Sequence, residues 1–206
     1  MTKVLFFGDS LTSGENSKVK YTDFLPDTWN ISNYAVSGTT IGEYSIYPVD
    51  GNSLLGKIGK HQQEIKEATH IFIEYGSNDV SAIMCGFATL QTVVISLVKA
   101  IDWIKQLNPK ARIIYLIPGD DEVIKAKSYN MCSYLENIYF NRFDFKFPSS
   151  IYSKTFIDLV CNIKSICDTM YMFDDEMYKP DYLSSDNLHP SEIGHERIAE
   201  NILNQV

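Results

Sequence analysis

The chain is 206 residues long, 45% hydrophobic and 21% charged, with a formal net charge of −8 at pH 7. That is ordinary globular composition at the length of one domain, and it excludes the disordered and fibrous classes. The excess of acids argues against a protein that tracks nucleic-acid phosphates or docks on an anionic membrane, since both need a basic surface.

Strand-like runs and helical periodicity alternate along the chain. Val4-Leu5-Phe6-Phe7 stops at Gly8-Asp9-Ser10. Residues 31–36 form a weaker apolar run, and 56–68 read as a rather polar helix. Residues 71–75 stop at Gly76-Ser77-Asn78-Asp79. Val93, Leu97, Ile101 and Ile104 then repeat at helical spacing until Asn108-Pro109. Residues 113–117 stop at Pro118-Gly119-Asp120. Ile151, Phe156, Leu159, Val160 and Ile163 mark another helix, 169–173 another strand, and Ile193, Ile198 and Ile202 a last helix. Unbroken apolar runs of this length suit strands buried on both faces, as in a parallel sheet. Alternation of such strands with helices implies a three-layer α/β fold, with chemistry beyond the carboxyl ends of the strands.

One segment resists that scheme. Residues 120–148 are long for a connection and call for a helix of their own. Tyr129, Tyr134, Tyr139, Phe140, Phe143, Phe145, Phe147, Tyr152 and Phe156 crowd into this segment and the start of the next helix. A satellite core is the favoured reading, with a substrate-lining flap or an oligomer contact as the sharper ones. No run approaches the ~18 apolar residues of a membrane span. Only Lys3 precedes the first apolar run and no cleavage site follows it, so the sequence reads as lacking a signal peptide and as cytoplasmic. Cys85, Cys132, Cys161 and Cys167 form no C-x-x-C pair and read as reduced thiols, with no metal site.

Four short motifs could carry chemistry. Ser10, directly after the first strand, has its backbone N–H where an oxyanion is stabilised, although a plain helix cap reads the same. Asp186-Asn187-Leu188-His189-Pro190 offers a base and the carboxylate that orients it within one turn; a surface histidine at a helix start is the plainer alternative. Ser37-Gly38-Thr39 and Gly76-Ser77-Asn78-Asp79 are ordinary turn compositions. They could also supply the further donors, from Gly38 N–H and the Asn78 amide, that a tetrahedral oxyanion needs. No G-x-S-x-G, phosphate-binding or dinucleotide-binding glycine motif occurs. His61, His70 and His195 lack obvious partners and read as surface or helix-end residues.

In their order and placement, these motifs resemble the SGNH hydrolases, the GDSL esterase/lipase family. Gly8-Asp9-Ser10-Leu11, Asn33-Tyr34-Ala35-Val36-Ser37-Gly38, Gly76-Ser77-Asn78-Asp79 and Asp186-Asn187-Leu188-His189-Pro190 match its four blocks, spread over nearly the whole chain. The resemblance implies one flavodoxin-like α/β/α domain over residues 1–206, with a five-stranded parallel sheet in the order 2-1-3-4-5. It implies ester hydrolysis without metal or cofactor. Carried over, Ser10 is the nucleophile, His189 the base and Asp186 its orienter. Ser10 N–H, Gly38 N–H and Asn78 hold the oxyanion, while Asp9 and Asp79 brace loops. Residues 120–148 match no block. The substrate expected is a small-molecule or glycan ester with a short acyl group, acetyl first, taken up without nucleic acid or membrane span. The alternatives are a lysophospholipase or thioesterase, an acyltransferase with the same serine, and a non-catalytic glycan- or protein-binding module. Oligomeric state is not legible.

The charge is unevenly spread. Asp168, Asp174, Asp175, Glu176, Asp181, Asp186, Glu192, Glu196 and Glu200 face only Lys179 and Arg197 in the last part of the chain. If these acids line the mouth of the site, they should repel anionic substrates.

Overall fold

The computed structural model describes residues 2–44, 51–139, 148–174 and 179–206. Five strands form one sheet: β1 (Thr2–Gly8), β2 (Trp29–Asn33), β3 (His70–Glu74), β4 (Arg112–Ile117) and β5 (Asp168–Tyr171). They pair in the order β2-β1-β3-β4-β5, and every pairing is parallel. Successive side chains of a strand point to opposite faces, and here both faces are covered. Leu5, Phe7, Ile71, Ile73, Ile113, Tyr115 and Ile117 pack into one apolar cluster, and Val4, Phe6, Phe72, Ile114 and Leu116 into a second. Burial on both faces is the physical reason these strands read as unbroken apolar runs.

The first cluster is closed by α2 (Leu54–Lys60), α3 (Gln62–Glu67), α5 (Leu90–Leu107) and α7 (Ser149–Ile166), which supply Leu54, Ile58, Ile65, Leu97, Ile104 and Leu159 among others. The second is closed by α8 (Glu192–Leu203) through Ile198 and Ile202, with Leu11 of the short α1 (Ser10–Ser13). The α4 helix (Ser77–Met84) follows β3 directly. The helix expected in 120–148 is α6 (Asp121–Tyr139). It starts where the Asp120 carboxylate accepts the Glu122 and Val123 N–H groups at 2.9 and 3.0 Å. Its Ile124 and Leu135 enter the first cluster and Val123 the second, so part of the segment is core. Phe140, Phe143, Phe145 and Phe147 lie outside the described residues.

Three readings need correction. The polar helix of 56–68 is two helices, α2 and α3, because His61 leaves helical geometry at φ −115°, ψ 32°. Its ring stacks on Tyr34 with centroids 3.7 Å apart. The second strand ends at Asn33 rather than 36. Beyond it the chain stays beside β1 through Tyr34 N–H to Phe6 O and Val36 N–H to Gly8 O, at 2.8 and 3.1 Å, without a regular ladder. His195 is not a surface residue. It is fully buried in α8 and stacks on Tyr21 at 6.3 Å. Neither ring nitrogen has a hydrogen-bond partner among the described residues. Cys85, Cys132, Cys161 and Cys167 are all free. Among the described residues no helix is long and apolar enough to cross a membrane.

Candidate active site

The carboxyl ends of β1 and β3 carry the first two parts of the site. After β1 the chain turns sharply at Gly8, where an added Cβ would lie 2.4 Å from the Thr12 hydroxyl. Only glycine permits that approach. Asp9 caps α1 by accepting the Leu11 N–H at 3.1 Å, leaving Ser10 as the first helical residue with its hydroxyl at the sheet edge. Glu74, the last residue of β3, is buried beneath this turn and accepts the Thr12 hydroxyl at 3.1 Å. Burial, then the neighbouring Asp9 charge, push the Glu74 carboxyl well above the ordinary carboxylate range.

The loop before α8 brings in the remaining groups. His189 Nε2 lies 2.9 Å from Ser10 Oγ, and His189 Nδ1 lies 2.6 Å from Asp186 Oδ2. Asp186 Oδ1 accepts the Ser184 hydroxyl at 2.7 Å, the Leu188 N–H at 2.9 Å and the His189 N–H at 3.0 Å. Burial raises the Asp186 pKa. The bonds from the His189 ring and backbone, from Ser184 and from Leu188 outweigh it and hold the carboxyl well below its usual range. An ionised carboxylate only accepts, so Nδ1 carries the proton and Nε2 presents its lone pair to Ser10. The Ser10 hydroxyl then donates to His189.

Two supports were not legible as site residues. Asn16, at φ 60°, donates its amide to Asp186 Oδ2 at 2.7 Å. Asn130, from α6, donates to Asn187 O at 2.8 Å and so pins the Asp186–His189 turn, in which Asn187 sits at φ 56°.

Gly38 and Asn78 reach the same place from β2 and β3. Gly38 has φ 74°, in the left-handed region that favours glycine. Both residues line one cavity of ≈ 170 Å³ with Ser10, Glu15, Ser37, Met131, Tyr134, Leu188 and His189. Asn78 Nδ2 lies 3.1 Å from Asp9 Oδ2 and 3.0 Å from Thr39 O. Its two hydrogens therefore already have acceptors, and a bound oxyanion would have to share or draw off one of them. Asp9 thus braces Asn78. Asp79 braces the opposite loop, accepting the Ile41 N–H at 3.0 Å and the Tyr44 hydroxyl at 2.9 Å. Burial raises the Asp79 pKa to about 7 against those two hydrogen bonds.

The aromatic segment contributes one wall. Tyr134 of α6 meets the His189 ring edge-on at 6.3 Å and 87°, beside Met131. Among the described residues, no acid of the tail lines the cavity. Asp168 starts β5 at the far end of the sheet near Arg112, and Asp174 pairs with Arg197 at 2.6 Å. Asp175 and Glu176 lie outside the described residues. The carboxylate in the lining is Glu15. The local sequence put acids near Asp186, but strand direction carries Asp168 away from the site and Arg197 engages Asp174 and Glu200.

Solved structures share this architecture. The lipase Lip_vut3 from a goat rumen metagenome superposes with a TM-score of 0.64 at 14% identity, covering 99% of this chain and 97% of its own. TesA gives a TM-score of 0.61 at 15% identity, covering 98% and 97%. A family two carbohydrate esterase from Clostridium thermocellum, in complex with cellohexaose, gives 0.61 at 15% identity, covering 99% of this chain and 63% of its own. At such identities these likenesses establish the fold alone. No curated protein matches the sequence. The family model of the GDSL-like lipases and acylhydrolases does match it, over residues 6–197, a span from β1 into α8 that takes in every residue facing Ser10. A match over that much of the chain shows its family, and the chain belongs to the GDSL-like Lipase/Acylhydrolase family.

Proposed function

We propose that the protein is a serine carboxylic ester hydrolase, and that it removes a short acyl group, acetyl first, from a carbohydrate or other small hydroxylated molecule. The observation that carries the reading is the hydrogen-bonded series Ser10 Oγ, His189 Nε2, His189 Nδ1, Asp186 Oδ2, at 2.9 and 2.6 Å. A serine hydroxyl is a weak nucleophile until an adjacent base takes its proton. His189 Nε2 takes it as Oγ attacks the acyl carbonyl. Asp186 holds the ring in that tautomer and stabilises the imidazolium that forms. The tetrahedral oxyanion accepts from Ser10 N–H, Gly38 N–H and Asn78 Nδ2. His189 then returns the proton to the leaving alcohol, and water repeats the sequence on the acyl-enzyme.

A cavity of ≈ 170 Å³ with Met131 and Tyr134 in its lining supports a short acyl group over a long one. An aromatic ring in the lining, Tyr134, and the carbohydrate esterase among the structural neighbours support a sugar as the alcohol. Hydrolysis of a p-nitrophenyl ester series tests this. Turnover should be greatest with two to four acyl carbons and absent in Ser10→Ala. A maximum at eight carbons or more would replace the reading with a lysophospholipase or thioesterase. Ester product made with an acceptor alcohol present, faster than free acid, would make it an acyltransferase.

A further inference from the structure

The buried groups not used above include a lysine that touches every loop of the proposed oxyanion site. Lys57 lies on the inward face of α2, between Leu54 and Ile58, and is 2% exposed. Its Nζ donates to Gly8 O at 3.0 Å, to the Tyr75 hydroxyl at 3.0 Å and to Thr39 Oγ1 at 3.3 Å. An ammonium has three N–H groups, and all three are used. Each acceptor sits beside an oxyanion donor. Gly8 ends β1 just before Asp9 and Ser10, Thr39 follows Gly38, and Tyr75 leads through Gly76 and Ser77 to Asn78. Thr39 also ties two of these loops directly, since its carbonyl accepts from Asn78 Nδ2 at 3.0 Å.

We propose that Lys57 is a positioning residue whose ammonium holds the Ser10, Gly38 and Asn78 loops at the spacing that an oxyanion requires. The proposal rests on the serine esterase reading above. Burying an ammonium is costly, and an apolar side chain would fill the place between Leu54 and Ile58 more cheaply. Burial lowers the Lys57 pKa to about 8. Asp9 and Glu74 act against that fall and Lys60 adds to it, so the group is charged at neutral pH. What methionine could not supply is three fixed directions. Oxyanion donors act only at hydrogen-bond distance, and one is worth about 10²–10³-fold in rate. Drift of the donor loops therefore acts on the transition state far more than on ground-state binding.

Lys57→Met keeps the stem and removes the donors. We expect kcat per folded protein to fall about 10–100-fold with KM within about threefold. Affinity for an alkylboronic acid, which forms a tetrahedral anion on Ser10 Oγ, should fall in step with kcat. Lys60→Met, on the exposed side of the same helix, should match wild type. A purely structural lysine would lower Tm and leave kcat and boronate affinity per folded molecule unchanged, and that result overturns the proposal. If Lys57→Met does not fold, Tyr75→Phe, which removes the hydroxyl that accepts from Lys57 Nζ at 3.0 Å, decides. It should lower kcat about 3–10-fold at unchanged KM, and an unchanged kcat counts against the lysine. Wild type without Ser10-dependent turnover would overturn the esterase reading and this one together. Ser10-dependent turnover that Lys57→Met leaves intact overturns only the role of Lys57.

Discussion

Asp186 divides its work between two oxygens. Oδ1 takes three local donors and fixes the turn, while Oδ2 takes the His189 Nδ1–H and the Asn16 amide. Asn16→Ala removes one of the two bonds on the oxygen that orients the base. We expect kcat to fall about 3–10-fold with KM little changed, since a positioning bond of ~1 kcal/mol is lost. Steady-state kinetics on a short p-nitrophenyl ester checks this. Among the described residues Glu15 is the carboxylate in the cavity lining, so it is the place to test charge selection. Glu15→Gln should raise kcat/KM for a carboxylated ester by about 2–5-fold at low salt, with the gain shrinking at 1 M salt. A neutral ester should show no such gain. Ser10, His189 and Asp186 were singled out by the family resemblance rather than by any one motif, and the structure brings the three together. Asn16 was not singled out. A polar asparagine in a turn is indistinguishable from any other until the fold brings Asp186 beside it.

At the scale of elements, α6 does two jobs. Ile124 and Leu135 bury it in the core, and Met131 and Tyr134 face the cavity. The aromatic richness of 120–148 was visible, and so was the need for a helix. Which of its side chains face the nucleophile depends on how α6 packs on α7, a long-range fact. Tyr134→Ala opens the wall beside His189 and should shift the preferred acyl chain upward by about two to four carbons, read from the ester series; an unmoved optimum would place the acyl group elsewhere. The sequence of α2 holds a second lesson. Leu54, Lys57 and Ile58 share one helical face, so a charge stands on an apolar stripe. That pattern is a signal for a buried, partnered lysine, although a helix begun at 56 leaves Leu54 out and obscures it. The strands were the most legible elements, since burial on both faces leaves an unbroken apolar run.

Across the whole molecule, the parallel sheet gathers loops distant in sequence at one edge. Ser10 and His189 meet across 179 positions. The same packing buries His195 against Tyr21 in the second cluster; the sequence read it as a surface or helix-end residue because that partner is distant along the chain. Burial lowers the His195 pKa from 6.5 to about 4. Below pH 6.5 the unfolded imidazole binds a proton that the folded one refuses. The contribution to stability is therefore full above 6.5 and falls by about 3 kcal/mol as pH drops to 4. Asp79, raised to about 7, works in the opposite direction between 3.8 and 7, so the comparison must be made within one pair of proteins. His195→Phe should lose about 3 kcal/mol less than wild type between pH 7 and pH 4 in urea unfolding. Equal losses would mean the imidazole is hydrated.

The most direct test of the account is covalent. The folded protein is treated with a fluorophosphonate and digested, and the adduct is mapped by mass spectrometry. The account predicts one phosphonyl group on Ser10, none in Ser10→Ala, and labelling slowed at least 10²-fold in His189→Ala, where the serine has lost its base. A folded wild type that stays unlabelled, or an adduct on another residue, would contradict it and favour a binding module built on this fold.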